Sequence, residues 1–224
     1  MTTATPPTSA SMGTDGPSVQ EQLDALLPGR SIRRVVGWVA VVVIALVCAW
    51  VAPVAANPGV QFTGSATGGY VSGTAFTMQA MDISTNAWPS ATITAMGDMR
   101  GVTPAAAWIV TQDQADQFLA ANVTSKPTTA TDLLAAISAQ GVPVASFHAL
   151  PTTIPAGADN ILLVVWQISD CDQAIAGEKD AMHVWVRSYV GTESIVQLTQ
   201  EGIGIGPLWS DSRDDLKQSG IVCP

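Results

Sequence analysis

The chain has 224 residues, 47% of them apolar, and a formal charge of −9 carried by nine basic and eighteen acidic residues. Counted by region, residues 1–34 are neutral and the whole excess lies in residues 57–224, so that part of the surface repels phosphate backbones and excludes nucleic acid as a partner. Residues 57–224 suffice for one domain with a real core and are short for two.

Residues 1–34 form a polar head rich in Thr, Ser, Pro and Gly, expected to be disordered and cytoplasmic. The exception is Ser18 to Glu21, a capping-box pattern leading into an amphipathic turn or two before Pro28. Val35 to Ala56 then runs for 22 residues without a charge. At about 1.5 Å per residue it crosses a ~30 Å hydrocarbon core with its backbone amides paired inside the helix. Arg30, Arg33 and Arg34 precede the run and no Lys or Arg follows it until Arg100, which predicts a cytoplasmic N-terminus and an extracytoplasmic body. The small residues Val54 to Ala56 also fit a signal-peptidase site, but the head is long for a signal peptide and the run exceeds its usual apolar core, which favours a retained signal-anchor. Asn57 to Gly69 reads as a flexible spacer.

From Tyr70 the pattern is that of strands. Phe76, Met78 and Ala80 alternate with Thr77 and Gln79, then Met81 and Ile83 carry the apolar side, a slip of the kind a bulge produces. A turn at Asn86 to Ser90 and strands at 91–95 and 105–110 follow. Two helices come next. Thr111 and Gln114 form a capping box for a helix through Ala121, and Thr129 and Asp132 open a second one that ends before Gly141. Strands are expected again at 144–150, at 161–168, at 182–190 and at 194–199, with turns at 153–157 and around Gly191. Seven or so short strands separated by turn signals predict a mainly β domain over 70–224, a β-sandwich with a two-helix insertion.

Cys171 and Cys223 are the only cysteines beyond the apolar run, and in an oxidising compartment they are expected to pair. Spacing of the CxxC kind, which a redox or metal pair needs, is absent.

Ile154 to Gly157 (IPAG), Trp166 to Cys171 (WQISDC), Val184 to Tyr189 (VWVRSY) and Ile221 to Cys223 occur in an order that resembles membrane-anchored surface proteins of actinobacteria with one immunoglobulin-like domain. The resemblance covers about residues 70–224 and implies a fold and a location, an immunoglobulin-like sandwich outside the cell, and no activity; the helical insertion departs from it.

No set of residues converges on a catalytic chemistry. His148 and His183 are the only histidines and no G-x-S-x-G elbow accompanies them. Met78, Met81, Met96, Met99 and Met182 next to His183 are soft ligands of the kind copper(I) takes, but pairs three apart in a strand face opposite ways, and core filling explains them better. Asp170, Asp172, Glu178 and Asp180 crowd around Cys171 without the ligand spacing of a calcium loop. Gly202 to Gly206 is followed by Pro207 and opens no helix, so it reads as a turn or a bulged edge strand. No metal or other cofactor is expected. The candidate binding face is the polar side of the 182–190 strand, where His183, Trp185, Arg187 and Tyr189 fall on one side, opposite Met182, Val184 and Val186. The expectation is a membrane-anchored interaction or structural module with a cell-envelope protein partner. The alternative is a metal- or small-ligand-binding protein.

Overall fold

The computed structural model describes residues 30–56, 59–85, 90–155, 157, 160–177, 180–189, 191–200, 203–204, 208 and 212–224. Residues 1–29 with the capping box at Ser18, Asn57, the turn at 86–89 and Glu178 lie outside them. The chain divides into two units, Met1–Trp50 and Val51–Pro224.

Helix α1 (Arg30–Ala56) contains a stretch, Arg34–Ala52, long and apolar enough to cross a membrane, the same test that a signal sequence passes. Its described apolar side chains, Trp38 and Trp50 among them, are exposed.

The second unit is built on two antiparallel five-stranded sheets. The first orders β1 (Val60–Tyr70), β2 (Phe76–Thr85), β7 (Asn160–Ile168), β4 (Val102–Val110) and β5 (His148–Ala149). The second orders β10 (Ile203–Gly204), β9 (Glu193–Gln200), β8 (Met182–Ser188), β3 (Ser90–Met96) and β6 (Thr152–Pro155). Helices α2 (Gln112–Leu119) and α3 (Ala130–Ser138) follow β4, α4 (Cys171–Ala176) follows β7, and α5 (Arg213–Gln218) precedes the C-terminus.

Strand β7 shows how the layers stack. Leu162, Val164, Trp166 and Ile168 point into the core between the sheets, which they share with Ile93, Ile154, Met182, Val184 and Val186. Ile161, Leu163 and Val165 point the other way, into a second core with Phe118 of α2 and Leu133 and Ile137 of α3. A strand buried on both faces loses polar alternation, which is why this segment reads as a continuous apolar run. Trp108, Phe118 and Phe147 meet in that second core with ring centroids 5.9–6.0 Å apart. Each such large side chain, fully buried, contributes on the order of 1.5–3 kcal/mol.

Both helices start where local chemistry starts them. The Thr111 side chain accepts from Gln114 N while the Gln114 side chain accepts from Thr111 N, a complete capping box. Thr129 Oγ1 accepts from Asp132 N at 3.1 Å, and Gly141, at φ +89°, stands after the end of α3.

Several expectations are corrected. Residues 60–69, read as part of a spacer, form edge strand β1; Val60 is buried and the strand pairs with β2 across a bulge between Phe62 and Ala66. The segment is short of apolar side chains, and pairing with β2 supplies what its composition does not. Strand β2 has no bulge: it pairs with β7 in continuous register from Phe76 to Ile83. Its apolar side changes because both of its faces are buried. Phe76, Met78 and Ala80 face the helices, whereas Met81 and Ile83 face the other sheet. Residues 144–150 are a 3-10 turn, Val144–Ser146, followed by the two-residue β5; Pro143 caps that turn, its carbonyl accepting from both Ser146 N and Ser146 Oγ. The expected turn at 153–157 is instead strand β6 as far as Pro155, with Ile154 fully buried and Ser90 to Ile93 as partners. The segment around Cys171 is helix α4, its start capped by Asp170 Oδ1, which accepts from Asp172 N and Gln173 N.

Candidate functional site

The two sheets differ in what covers their outer faces. The β1-β2-β7-β4-β5 sheet lies under α2 and α3, whereas strand β8 of the other sheet has an alternating pattern, with Met182, Val184 and Val186 buried and His183, Trp185 and Arg187 turned outward. Three of the four residues on the candidate face therefore line up as the period of two predicts. Tyr189 does not continue the line. It sits in the hairpin turn after Ser188, where Gly191 N donates to Ser188 O at 2.9 Å, and it is 72% exposed.

Cross-strand pairing assembles the face in rows. Arg187 lies between Thr92 and Glu193, Trp185 between Ala95 and Ile195, and His183 opposite Gln197. The first row is polar. Arg187 Nη2 approaches Glu193 Oε1 at 3.9 Å with both side chains about half exposed, a pair of little energetic weight. Thr94, at the bulge in β3, donates from Oγ1 to the same Glu193 oxygen at 2.7 Å. The middle row is apolar, with Ile195 57% exposed. In the third row His183 Nε2 and Gln197 Nε2 are 3.3 Å apart. The face thus has an aromatic and aliphatic centre with polar flanks.

The far edge of the Trp185 ring reaches Gly97. A Cβ built on Gly97 would stand 2.9 Å from Trp185 Cζ3 and 3.1 Å from Cη2, and Gly97 is buried although its neighbours Asp98 and Ala95 are exposed. Only glycine leaves room for the indole at that position. Ile195, Gln197 and Gly97 were not picked out from the sequence. The period of two in β9 places Glu193, Ile195 and Gln197 together, but nothing local marks Gly97.

Beyond His183 the face opens into a cleft of about 390 Å³ lined by Asp98, Met99, Arg100, Asp180, Ala181, His183 and Gln197. Arg100 Nε holds Asp180 Oδ2 at 2.9 Å.

Cys171 and Cys223 form the expected disulfide, with Cα atoms 5.7 Å apart. The acids near it have separate partners: Asp170 caps α4, Asp172 meets Arg213 at 3.7 Å and Asp180 pairs with Arg100. His148 is exposed on β5 in one sheet and His183 is on β8 in the other. Met78 and Met81 fall in different cores. Among the described residues no group of three or more His, Cys, Asp or Glu side chains is placed to hold a metal ion.

The chain matches no protein-family model, and no curated protein matches it.

Proposed function

We propose that this protein is a single-span, membrane-anchored interaction module whose body stands outside the cell and docks through the β8 face to a component of the cell envelope. The observation that carries the reading is the uneven covering of the sheets: helices bury one outer face, and on the other, among the described residues, Ile195 and Arg187 are exposed and Trp185 is half-buried. Arg30, Arg33 and Arg34 at the start of α1 and the absence of Lys and Arg from there to Arg100 support a cytoplasmic N-terminus.

An immunoglobulin-like reading of the fold has support in the strand order. Taken in chain order, β1, β2, β3, β4, β7, β8 and β9 stand as β1-β2-β7-β4 in one sheet and β9-β8-β3 in the other, the ABED and GFC arrangement of constant-type immunoglobulin domains. On that reading α2, α3, β5 and β6 are an insertion between the fourth and fifth strands.

Photo-cross-linking in intact cells, with the probe at Trp185 and separately at Lys126, tests the function. Lys126 is exposed on the loop between α2 and α3. A partner captured from Trp185 and not from Lys126 is the expected result. Capture from neither site, with the body folded, overturns the docking face.

A further inference from the structure

We propose that the β8 face pairs with the same face of a second copy of this chain, about a two-fold axis that runs parallel to the strands between β8 and β9. The inference rests on the reading of this face as the docking surface and names the partner.

The first observation is the order of side chains in two neighbouring columns. The outward set is His183, Trp185 and Arg187 on β8 and Gln197, Ile195 and Glu193 on β9, paired row by row. Arg187 and the three β9 residues are exposed, and His183 and Trp185 are half-buried. A two-fold interface is isologous, so a residue that meets another is met by it in return. An axis parallel to the strands keeps each row level and exchanges the columns. It sets Arg187 of one copy against Glu193 of the other, Trp185 against Ile195 and His183 against Gln197, each contact made twice. All three rows are then complementary: opposite charges, two apolar side chains, and an imidazole with an amide. An axis across the strands would set Arg187 against His183 and Glu193 against Gln197, with neither charge matched. The charges select the axis along the strands.

The second observation is the charge around that axis. Residues 57–224 carry the whole excess of −9, so two copies repel overall and can pair only where their charges balance. Among the described outward residues of β8 and β9, Arg187 and Glu193 are the charged ones, and they balance. Within one copy their contact is loose, at 3.9 Å, while Thr94 Oγ1 holds Glu193 Oε1 at 2.7 Å. In the pair the two guanidinium and two carboxylate groups alternate around the axis, so each gains a second opposite neighbour. This axis also leaves both copies pointing the same way, with the start of β1 at the same end in each, as two chains anchored in one membrane require. Three rows on two strands ~4.8 Å apart cover far less than the ~800 Å² per partner of a standard interface. Confinement to one membrane supplies the effective concentration that offsets the small area.

The test is energy transfer between full chains that carry a donor or an acceptor at the N-terminus, reconstituted together at low density in phosphatidylcholine vesicles. The wild type should transfer more than randomly placed chains at that density. Arg187→Glu alone and Glu193→Arg alone each set like charges across the axis. Each should weaken pairing at least about tenfold and bring transfer to the random level. Mixed together, the two variants should recover it, because every carboxylate of one then meets a guanidinium of the other. Both positions are exposed, and unchanged unfolding midpoints check that the variants keep their fold. Random transfer in the wild type, transfer kept by either folded variant, or no recovery in the mixture overturns the proposal. If pairing fails while a probe at Trp185 still captures a different protein in cells, the docking reading stands and the second copy falls. If the probe captures nothing as well, both fall.

Discussion

Trp166 Nε1 donates to Gln79 Oε1 at 3.0 Å between two side chains that are both fully buried in the core joining the sheets. The bond links adjacent strands β2 and β7 across a region otherwise lined by Met81, Leu162, Val164 and Ile168. Gln79→Leu leaves the indole N–H without this acceptor in an apolar surround and should lower unfolding free energy by about 1–3 kcal/mol. Trp166→Phe in the same background should then cost less than it does alone, because its polar partner is already gone. Denaturant unfolding of the two single variants and the double variant measures the coupling; strict additivity would show that the bond carries no net stability.

The Cys171–Cys223 bridge closes a sequence separation of 52 and ties the C-terminus to the start of α4. Loop entropy alone gives it about 4 kcal/mol. Thermal unfolding of the Cys171→Ser, Cys223→Ser double variant, compared with the oxidised and the reduced wild type, should show the same large loss for the variant and for reduction.

Gly101 adopts φ +66°, and an added Cβ would meet Asp170 O and Ala174 N at the start of α4. Its own carbonyl accepts from Ser169 N at 2.8 Å and Asp170 N at 3.1 Å. Gly101→Ala combines backbone strain with a clash against main-chain atoms that cannot swing away, so a destabilisation of about 3 kcal/mol is expected. Gly141 has φ +89° but open space around the same position, so Gly141→Ala should cost only its conformational strain, about 1 kcal/mol. Comparing their denaturation midpoints separates the two effects.

Ser194 Oγ is buried without a hydrogen-bond partner among the described residues. Removing an unsatisfied hydroxyl relieves a desolvation cost, so Ser194→Ala should raise stability by about 1 kcal/mol. A loss of stability in the same denaturation assay would mean that the hydroxyl is satisfied in solution.

The proposed orientation is open to direct labelling. A membrane-impermeant maleimide added to intact cells should modify a cysteine introduced at Lys126 and leave one introduced at Ser18 unmodified until the cells are broken. The reverse pattern would reject the positive-inside assignment.

Much of the fold was legible because its signals are short. The capping chemistry of Thr111 with Gln114 and of Thr129 with Asp132 acts within one helical turn, and the period of two in β8 and the apolar run of α1 are equally local. Helices α4 and α5 are missed although their caps, Asp170 and Ser212, accept from backbone N–H groups two or three residues on; at six residues each they leave no apolar period to read. The candidate site is half legible. His183, Trp185 and Arg187 follow from alternation, whereas the bulge that brings Thr94 to Glu193 and the glycine beside the Trp185 ring depend on neighbours far along the chain.

By itself the sequence determined the apolar helix, the placing of the acidic charge after it, the two capped helices, the outward set on β8 and, with only two cysteines beyond the helix, their pairing. Only the tertiary structure decided which strands are covered. Strand β1 exists because β2 offers it an edge, β2 turns two different apolar sides because helices lie on one and a sheet on the other, and α2 and α3 cover the sheet that does not contain β8. Local patterns record which side chains share a face, and which of those faces meets water is settled by packing between segments distant in the chain.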